Sequence, residues 1–286
     1  MMHPFTLNCK GQLYSFDRPL VMGILNLTPD SFYAASRLQD LDALCNKAEQ
    51  MLHEGARFLD VGACSTRPGS MPPDEEEECR RLIPALERLH KEFPDAILSA
   101  DTFRSRVAAL ALEAGASMIN DVSGLADEQM AAVVSAHRAP YVLMHTQGTP
   151  LTMQQKPEYT HAVKEVAHFF AEKSSQLRTK KVHDIILDPG IGFGKKPEHN
   201  RELLMAGKLF SALGFPTLIG VSRKSAITKI LANAAAEALN GSTVLHTLAL
   251  LSGYAIIRTH DVKEAVEAIS LTDFYMKGLS ANFVTL

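Results

Sequence analysis

Polar and ionisable residues follow a series of short apolar segments along this chain, and they are the first candidates for chemistry. Carboxylates and amides suit a flat, neutral heterocycle with several N–H donors, whereas arginine, lysine and histidine suit phosphate. If these side chains share one pocket, the sequence predicts a site with an acidic and amide floor and a basic rim. The residues concerned are Asn26, Asp60, Asp101, Asn120, Asp121, Asp188, Ser222, Arg223, Lys224, Arg258 and His260.

The segment ILDPGIGFGKK (185–195) has closely spaced glycines, as phosphate-binding loops do, but it fails both nucleotide-binding patterns. The dinucleotide pattern requires a third glycine where the chain has Lys195, and the P-loop requires four residues between its two glycines and then Lys-Ser/Thr. The glycines therefore predict a loop that turns sharply over a strand end, where larger side chains would crowd a ligand.

The elements that must position these residues are short apolar runs separated by segments with helical periodicity. Several helices are predicted to end on a glycine just before the next strand, as in HEGARFLD, EAGASMIND and LSGYAIIR. The strands are continuously apolar, which is typical of parallel sheets that are covered on both faces. The apolar runs are residues 19–26, 57–63, 96–102, 117–123, 140–145, 184–190, 216–222 and 255–260.

Eight repeated strand–helix units predict a (β/α)8 TIM barrel, and an open doubly wound sheet is the alternative. In a barrel, the carboxyl ends of all the strands meet at one face, so the polar residues from early in the chain would converge with the later ones. Arg258 and His260 are two apart on a predicted strand and should point the same way.

Length and composition limit the class of protein. The 286 residues, 46% hydrophobic and 21% charged, predict one domain over residues 1–286 with a short N-terminal extension over about residues 1–18. A net charge of -3 argues against nucleic-acid and membrane-surface partners. Four cysteines without a CxxC pair suit reduced thiols, and the chain has no signal-peptide pattern or long apolar run, so a cytoplasmic location is predicted.

Five segments, in this order, resemble the signature segments of the dihydropteroate synthase family. They are MGILNLTPDSF (22–32), DVGACSTRPGS (60–70), LDPGIGFGKKPEHN (187–200), GVSRKSAI (220–227) and IRTHDV (257–262). The resemblance implies a TIM barrel that joins 6-hydroxymethyl-7,8-dihydropterin pyrophosphate to 4-aminobenzoate and releases pyrophosphate, in folate synthesis. It also implies a homodimer that is formed through late helices.

The resemblance assigns a pterin pocket to four residues. Asp188 would accept hydrogen bonds from the pyrimidinone N–H and amino group, since a carboxylate can take such a pair. Asp101 and Asn120 would satisfy the remaining edges of the ring, and Lys224 would reach its acceptor atoms.

The resemblance also assigns residues to the site of the second substrate, 4-aminobenzoate. Phe193 would help to wall the aminobenzoate site, and Thr66 and Arg67 lie on a loop that family members close over this substrate. Ser225, at the start of a helix, would meet the aminobenzoate carboxylate, where the helix N-terminus favours an anion.

The pyrophosphate end involves three further assignments. Asn26 would meet a magnesium–pyrophosphate group, with Mg²⁺ held mainly by phosphate oxygens and water. Arg258 and His260 would hold the pyrophosphate, with Arg67 added from its loop.

The implied reaction needs no protein nucleophile. Pyrophosphate leaves the pterin methylene, a delocalised cation forms, and the aniline nitrogen attacks, with Lys224, Arg258, His260 and Asp101 as the catalytic residues.

The chain departs from the family pattern at two places. Tyr33-Ala34-Ala35-Ser36 stands where family members often have Ser-Asp-Gly-Gly, and Cys64 stands where many have glutamate. We interpret Cys64 as a buried small residue rather than a reactive thiol. The run DEEEE (74–78) is interpreted as the acidic first turn of a helix and not as a metal site.

Two other functions remain open from the sequence. The pterin-binding barrel of a folate-dependent methyltransferase would share the acidic floor without a pyrophosphate rim, and the STRPG, SRKS and RTHD segments favour the synthase over it. A catalytically silent pterin-binding paralogue is the second, and the altered first segment is its support.

Overall fold

The apolar runs form strands, and the periodic segments between them form helices. The computed structural model describes residues 2–27, 37–64, 71–148, 157–232 and 234–282, without the side chains of residues 37–39, 225 and 277–282. Its strands are β1 (Phe5–Cys9), β2 (Gln12–Phe16), β3 (Leu20–Asn26), β4 (Phe58–Gly62), β5 (Ile97–Asp101), β6 (Met118–Asp121), β7 (Tyr141–Met144), β8 (Ile185–Asp188), β9 (Leu218–Gly220) and β10 (Ile256–Thr259).

The helices alternate with the strands from β3 onward. They are α1 (Arg37–His53), α2 (Glu75–Glu92), α3 (Ser105–Glu113), α4 (Met130–His137), α5 (Ala162–Thr179), α6 (Pro197–Leu204), α7 (Gly207–Ser211), α8 (Ser225–Leu231), α9 (Leu239–Leu251) and α10 (Val262–Asn282).

Strands β3 to β10 form one parallel sheet in the order β8-β7-β6-β5-β4-β3-β10-β9. The two ends of this order also meet, because Leu187 and Thr217 form a parallel bridge and the Leu187 amide donates to the Pro216 carbonyl at 2.9 Å. The sheet therefore closes on itself, which confirms the predicted TIM barrel and excludes the open sheet.

The strands are apolar on both faces because each face is covered. Alternate residues such as Leu59, Val61 and Leu98 pack outward in the cluster that the helices share, while Met22 and Phe58 belong to a separate inner cluster. Burial of both faces supplies the main stabilisation of the barrel and explains the absence of polar alternation along the strands.

The first residues close the amino-terminal end of the barrel. β1 and β2 form an antiparallel hairpin whose Leu7, Cys9 and Phe16 join the inner cluster. The Asn8 amide donates to the Asp184 carboxylate at 2.9 Å, which ties the hairpin to the start of β8. The segment predicted to be a short N-terminal extension thus packs into the core. The opposite end of the barrel, where the strands end, is left for a ligand.

Glycines end the helices as predicted. Gly55, Gly115 and Gly253 have φ values of +104°, +115° and +96°, the left-handed conformation that a helix needs when the chain turns into the next strand. Within the described residues, no helix is both long enough and apolar enough to cross a membrane.

Candidate active site

The carboxyl ends of β4, β5, β6 and β10 are joined by a network centred on Asp60. The Asp60 Oδ2 atom accepts from the Arg258 Nε atom at 2.6 Å and from the Asn120 Nδ2 atom at 2.9 Å, and the Arg258 Nη2 atom lies 2.6 Å away in the same ion pair. Its other oxygen accepts from the Ser99 hydroxyl at 2.6 Å. Asp60 is fully buried, so these bonds replace the water that its carboxylate would otherwise require.

Asp101 joins the same network through Arg258, whose Nη2 lies 2.8 Å from the Asp101 Oδ2 atom. Burial and then the nearby Asp60 carboxylate raise the pKa of Asp101, and the Arg258 guanidinium opposes this effect. Burial acts to lower the pKa of Arg258, but the Asp60 and Asp101 carboxylates outweigh it and the pKa is raised. Arg258 is therefore a fixed cation, whereas Asp101 can exchange a proton.

A second group of polar residues follows β8 and β9. The Asp188 Oδ1 atom accepts from the Gly190 amide at 2.7 Å, and the Lys224 Nζ atom donates to the Ile191 carbonyl at 2.7 Å. Burial raises the pKa of Asp188, with Lys224 opposing, and burial lowers the pKa of Lys224 to about 8, with Asp188 opposing. The Asp188 carboxylate and the Lys224 ammonium therefore favour each other's charged forms in a buried pocket. Such a pair suits a ligand that bonds to both groups.

The glycine loop adds an aromatic side chain to this group. The Lys224 Nζ atom lies 4.8 Å from the centre of the Phe193 ring, and Phe193 also packs with Met144 and Val122. Phe193 is therefore held at the barrel mouth beside the ammonium group predicted to reach the pterin.

The glycines of this loop have positive φ values of +66°, +86° and +62° at positions 190, 192 and 194, which confirms the predicted sharp turn. A Cβ atom on Gly190 would lie 2.1 Å from the His145 carbonyl oxygen, and one on Gly194 would lie 2.6 Å from the Gln147 carbonyl oxygen. The close contact that requires glycine is thus with the backbone after β7, whereas the sequence predicted a close approach to the ligand.

His260 follows β10 and lies next to Ser222, which follows the neighbouring strand β9. The Ser222 hydroxyl accepts from the His260 amide at 3.3 Å and lies 3.1 Å from the His260 Nδ1 atom. If the hydroxyl proton points to Nδ1, the neutral ring carries its own proton on Nε2, where it is a donor for an anion. Arg223 pairs with Asp261 instead of entering the pocket, although it was among the strand-end candidates in the sequence.

The remaining predicted residues are Asn26 and several that the structure does not describe in full. Asn26 ends β3 with an exposed side chain. Thr66, Arg67 and the altered segment Tyr33-Ala34-Ala35-Ser36 lie outside the described residues, and of Ser225 the structure gives its place as the first residue of α8 but not its side chain.

Cys64 is only partly covered, whereas the sequence led to its interpretation as a buried small residue. It is half-buried, and burial followed by the nearby Glu78 carboxylate raises the pKa of its thiol. The thiol is therefore protonated at neutral pH and is a poor nucleophile.

The family resemblance gave no role to three residues of or beside this site, although Asp60 was already among the candidates at the strand ends. Asp60 carried a signal, its place at a strand end, and so did Lys195, directly after the glycines. Glu78 also carried one: it shares a helical face with the buried Leu82 and Leu89, although the run DEEEE has the composition of a solvated first turn. That turn does begin α2, with the Asp74 side chain accepting from the Glu77 amide at 2.8 Å.

The fold and the site together define an α/β-barrel enzyme with carboxylates, an amide and cations gathered at the carboxyl ends of its strands. The chain belongs to the pterin-binding enzyme family, whose model matches residues 22–260.

Individual relatives agree over most of the chain. The dihydropteroate synthase of Synechocystis is 41% identical over 260 residues, which are 90% of each chain. A solved structure of the Yersinia pestis dihydropteroate synthase in a sulfonamide drug complex has a TM-score of 0.88 and 36% identity, covering 96% of this chain and 100% of that one. The Xanthomonas albilineans dihydropteroate synthase with 4-aminobenzoic acid has a TM-score of 0.87 and 36% identity, covering 95% and 98%.

Proposed function

We propose that this chain catalyses the dihydropteroate synthase reaction. The bond between the pterin methylene and the pyrophosphate oxygen breaks, the methylene bonds to the amino nitrogen of 4-aminobenzoate, and that nitrogen loses a proton. The observation that carries the proposal is the meeting, at one barrel mouth, of the Asp60–Asp101–Asn120–Arg258 network with Asp188, Lys224 and Phe193.

The acidic and amide residues form the proposed pterin floor. Asp188 keeps one oxygen on the Gly190 amide and has lone pairs left for an N–H pair of the ring. Lys224 supplies donors to the ring acceptors, while Asp101 and Asn120 bind the other edge. Because these groups are buried, a pterin that satisfies them gains more than it would from the same bonds in water.

The cationic residues form the proposed pyrophosphate rim. Arg258 and His260 would stabilise the leaving anion, with Arg67 added from its loop. Arg258 also keeps its contacts with Asp60 and Asp101, so the guanidinium is already oriented before the anion develops.

The donor set near Asn26 fits magnesium that arrives with the substrate. Asn26 is one exposed amide, and the described residues contain no group of three or more histidine, cysteine, aspartate or glutamate side chains that could hold a metal ion. Phosphate oxygens and water would therefore supply most of the ligands, with Asn26 at the edge. When bound, magnesium would offset part of the negative charge of the leaving group.

The displacement is proposed to be dissociative. No described residue of the network needs to act as a nucleophile, and the chain's contribution is to bind the ring, hold the leaving anion and position the amine. Positional isotope exchange tests this step. Scrambling of the bridging oxygen in the pterin pyrophosphate supports the cation, and its absence both with and without 4-aminobenzoate contradicts it.

Pterin binding is tested with Asp188→Asn and Lys224→Met, using Arg223→Met as the control on a neighbouring surface pair. Isothermal titration calorimetry should show at least an order-of-magnitude loss of pterin affinity in the first two variants, since each leaves a buried partner unpaired. The control should bind like the wild type. Unchanged affinity in either pocket variant would refute the assignment.

The two alternative functions are separated by simple assays. Release of pyrophosphate from the dihydropterin substrate in the presence of 4-aminobenzoate supports the synthase over a methyltransferase barrel. Rescue of a strain that lacks folate synthesis excludes a catalytically silent paralogue. The Yersinia pestis relative forms a complex with a sulfonamide drug, and we expect a sulfonamide to inhibit this chain as well.

We also propose a homodimer through the last two helices. α9 exposes Val244, Leu248 and Leu251, which lie at helical spacing, and the neighbouring α10 exposes Phe274 and Tyr275. Large apolar side chains on two adjacent helices are unfavourable in water and suit a second copy of the chain.

Sedimentation velocity tests this proposal with Leu248→Glu combined with Phe274→Glu. The double variant should be monomeric, whereas Leu13→Glu, on the exposed hairpin, should keep the dimer. A monomeric wild type contradicts the proposal.

The cytoplasm remains the proposed location. The four cysteines are free in the structure, and two of them, Cys9 and Cys45, are buried. Free thiols of this kind suit a reducing compartment.

A further inference from the structure

Lys195 is a buried lysine at the end of the glycine loop, and the proposed reaction gives it no role. Its side chain is 3% exposed. The Nζ atom donates to the Phe193 carbonyl at 2.8 Å and to the His145 carbonyl at 3.1 Å. Among the described residues it makes no salt bridge, and both of these acceptors are backbone atoms.

An ammonium group in this position is unfavourable without its acceptors. Burial lowers the pKa of Lys195 to about 7, the Asp188 carboxylate opposes this effect, and the Lys224 ammonium adds to it. The neighbouring His145 ring is neutral and adds no further positive charge, because burial and then Lys195 lower its pKa to about 3. The charged form of Lys195 is therefore favoured by the two carbonyls that it bonds and by the Asp188 carboxylate, and an apolar side chain of similar length would fill the space without the cost of burying a charge.

The two carbonyls belong to different strand ends. His145 follows β7, and Phe193 lies in the loop after β8, so Lys195 ties the loop to the neighbouring strand. Gly190 and Gly194 allow the loop to lie directly against this backbone, with no room for a Cβ atom. The glycines thus let the loop pack against the backbone after β7, and the Lys195 ammonium group bonds it there.

Because Lys195 bonds to the Phe193 carbonyl, it also restrains the position of the Phe193 ring. That ring lies 4.8 Å from the Lys224 Nζ atom and packs on Met144 and Val122 at the mouth. A shift of the loop by a fraction of an ångström would move the ring relative to both substrates, and positioning on this scale strongly affects rate.

We propose that Lys195 is a positioning residue, which holds Phe193 in place as one wall of the 4-aminobenzoate subsite. This inference rests on the proposed synthase function. Lys195 does not touch the substrate in this arrangement, because its ammonium group is buried against the two carbonyls.

The test compares Lys195→Met with Lys196→Met, since Lys196 is the next residue and its side chain is exposed. Steady-state kinetics should show the KM for 4-aminobenzoate about tenfold higher in Lys195→Met, from the loss of hydrogen bonds made by a charged donor. Pterin affinity by calorimetry should stay within about threefold, because the pterin contacts are left in place. Lys196→Met should match the wild type.

A double-mutant cycle with Phe193→Ala separates positioning from general stability. If Lys195 acts through Phe193, Lys195→Met should raise the KM by less than about twofold in the Phe193→Ala background. If Lys195→Met does not fold, as judged by circular dichroism, Lys195→Gln keeps a donor and replaces it in the same cycle.

Two results would overturn the inference: a KM for 4-aminobenzoate in Lys195→Met equal to that in Lys196→Met, or a full Lys195→Met effect in the absence of the Phe193 ring. A wild-type protein that releases no pyrophosphate would instead refute the proposed function. The two failures are therefore distinct.

Discussion

The Asp60 carboxylate accepts hydrogen bonds from Ser99, Asn120 and Arg258, and so it joins residues from four strands. Arg258 is the most distant in sequence, 198 positions away. The guanidinium geometry suits this task, because a planar fork can bond two carboxylates while still facing the pocket.

Replacing Asp60 with asparagine should weaken the pterin site. The amide keeps the shape but removes the charge that Arg258 and Asn120 face, and it leaves a buried guanidinium with a poorer partner. Pterin affinity should fall by about 10- to 100-fold, measured by calorimetry below the melting temperature.

Asp121→Asn is the matched control for that variant. Asp121 is buried at the end of β6, but it accepts from the Tyr141 hydroxyl and the Ser123 amide and is not in the network. Its replacement should reduce stability and leave pterin affinity unchanged. Equal losses of affinity in both variants would contradict the role given to Asp60.

At the scale of an element, alanine should be tolerated far less well at position 190, in the loop after β8, than at position 214, which lies before β9. Gly190 and Gly214 both have positive φ, +66° and +88°, but Gly214 has no atom near its would-be Cβ, whereas Gly190 has the His145 oxygen at 2.1 Å. Gly214→Ala should cost about 1–2 kcal/mol in free energy of unfolding, the cost of the left-handed conformation.

Gly190→Ala should cost more than Gly214→Ala and should also reduce kcat/KM, because the loop must move away from β7. Urea denaturation and steady-state kinetics measure the two effects. Similar stability and activity in both variants would show that the close contact at residue 190 has no consequence.

Helix α2 depends on a buried ion pair at its first turn. Glu78 is fully buried, pairs with Arg104 and accepts from the Thr102 hydroxyl at 2.6 Å, while Arg104 also donates to the Pro73 carbonyl at 2.8 Å. Arg104→Met leaves the carboxylate uncompensated and should cost about 3–5 kcal/mol in free energy of unfolding.

Arg106→Met is the control, because Arg106 pairs with two other carboxylates of α2, Glu75 and Glu76, on the surface. Exposed pairs contribute little, so its free energy of unfolding should stay within about 1 kcal/mol of the wild type. Chemical denaturation of both variants decides the point, and equal losses would show that burial of Glu78 does not matter.

At the scale of the whole molecule, one buried histidine should make the free energy of unfolding depend on pH, because its own contribution falls as the pH is lowered from 7 to 5. His246 is buried in α9, neither ring nitrogen has a hydrogen-bond partner among the described residues, and burial lowers the pKa of the ring to about 4. The unfolded chain binds a proton near pH 6.5 and the folded chain does not, so acid favours unfolding. The loss from His246 alone is about 2 kcal/mol over this range.

His246→Leu should remove that part of the pH dependence, with little change or a gain at pH 7, since no hydrogen bond is lost. His168→Leu, which replaces an exposed histidine on α5, should keep the wild-type dependence. Thermal unfolding at several pH values measures the effect. An unchanged pH slope in His246→Leu would contradict the role of this side chain.

The barrel and most of the candidate site residues that the structure describes could be predicted from local patterns in the sequence. Strand periodicity and helix-ending glycines are local properties, so β3 to β10 could be read from short segments. Asp101, Asn120, Asp188, Lys224, Arg258 and His260 follow from the same pattern, because the ends of parallel strands must share one face.

The tertiary structure alone decided which of these residues bond to each other. The partners of Arg258 lie 157 and 198 positions away, and Lys195 reaches a carbonyl 50 positions away. The burial of Glu78 and the hairpin under the barrel likewise depend on what packs against them. Such pairings depend on the closure of the barrel, which fixes the distances between strands, and a local pattern of residue types does not contain those distances.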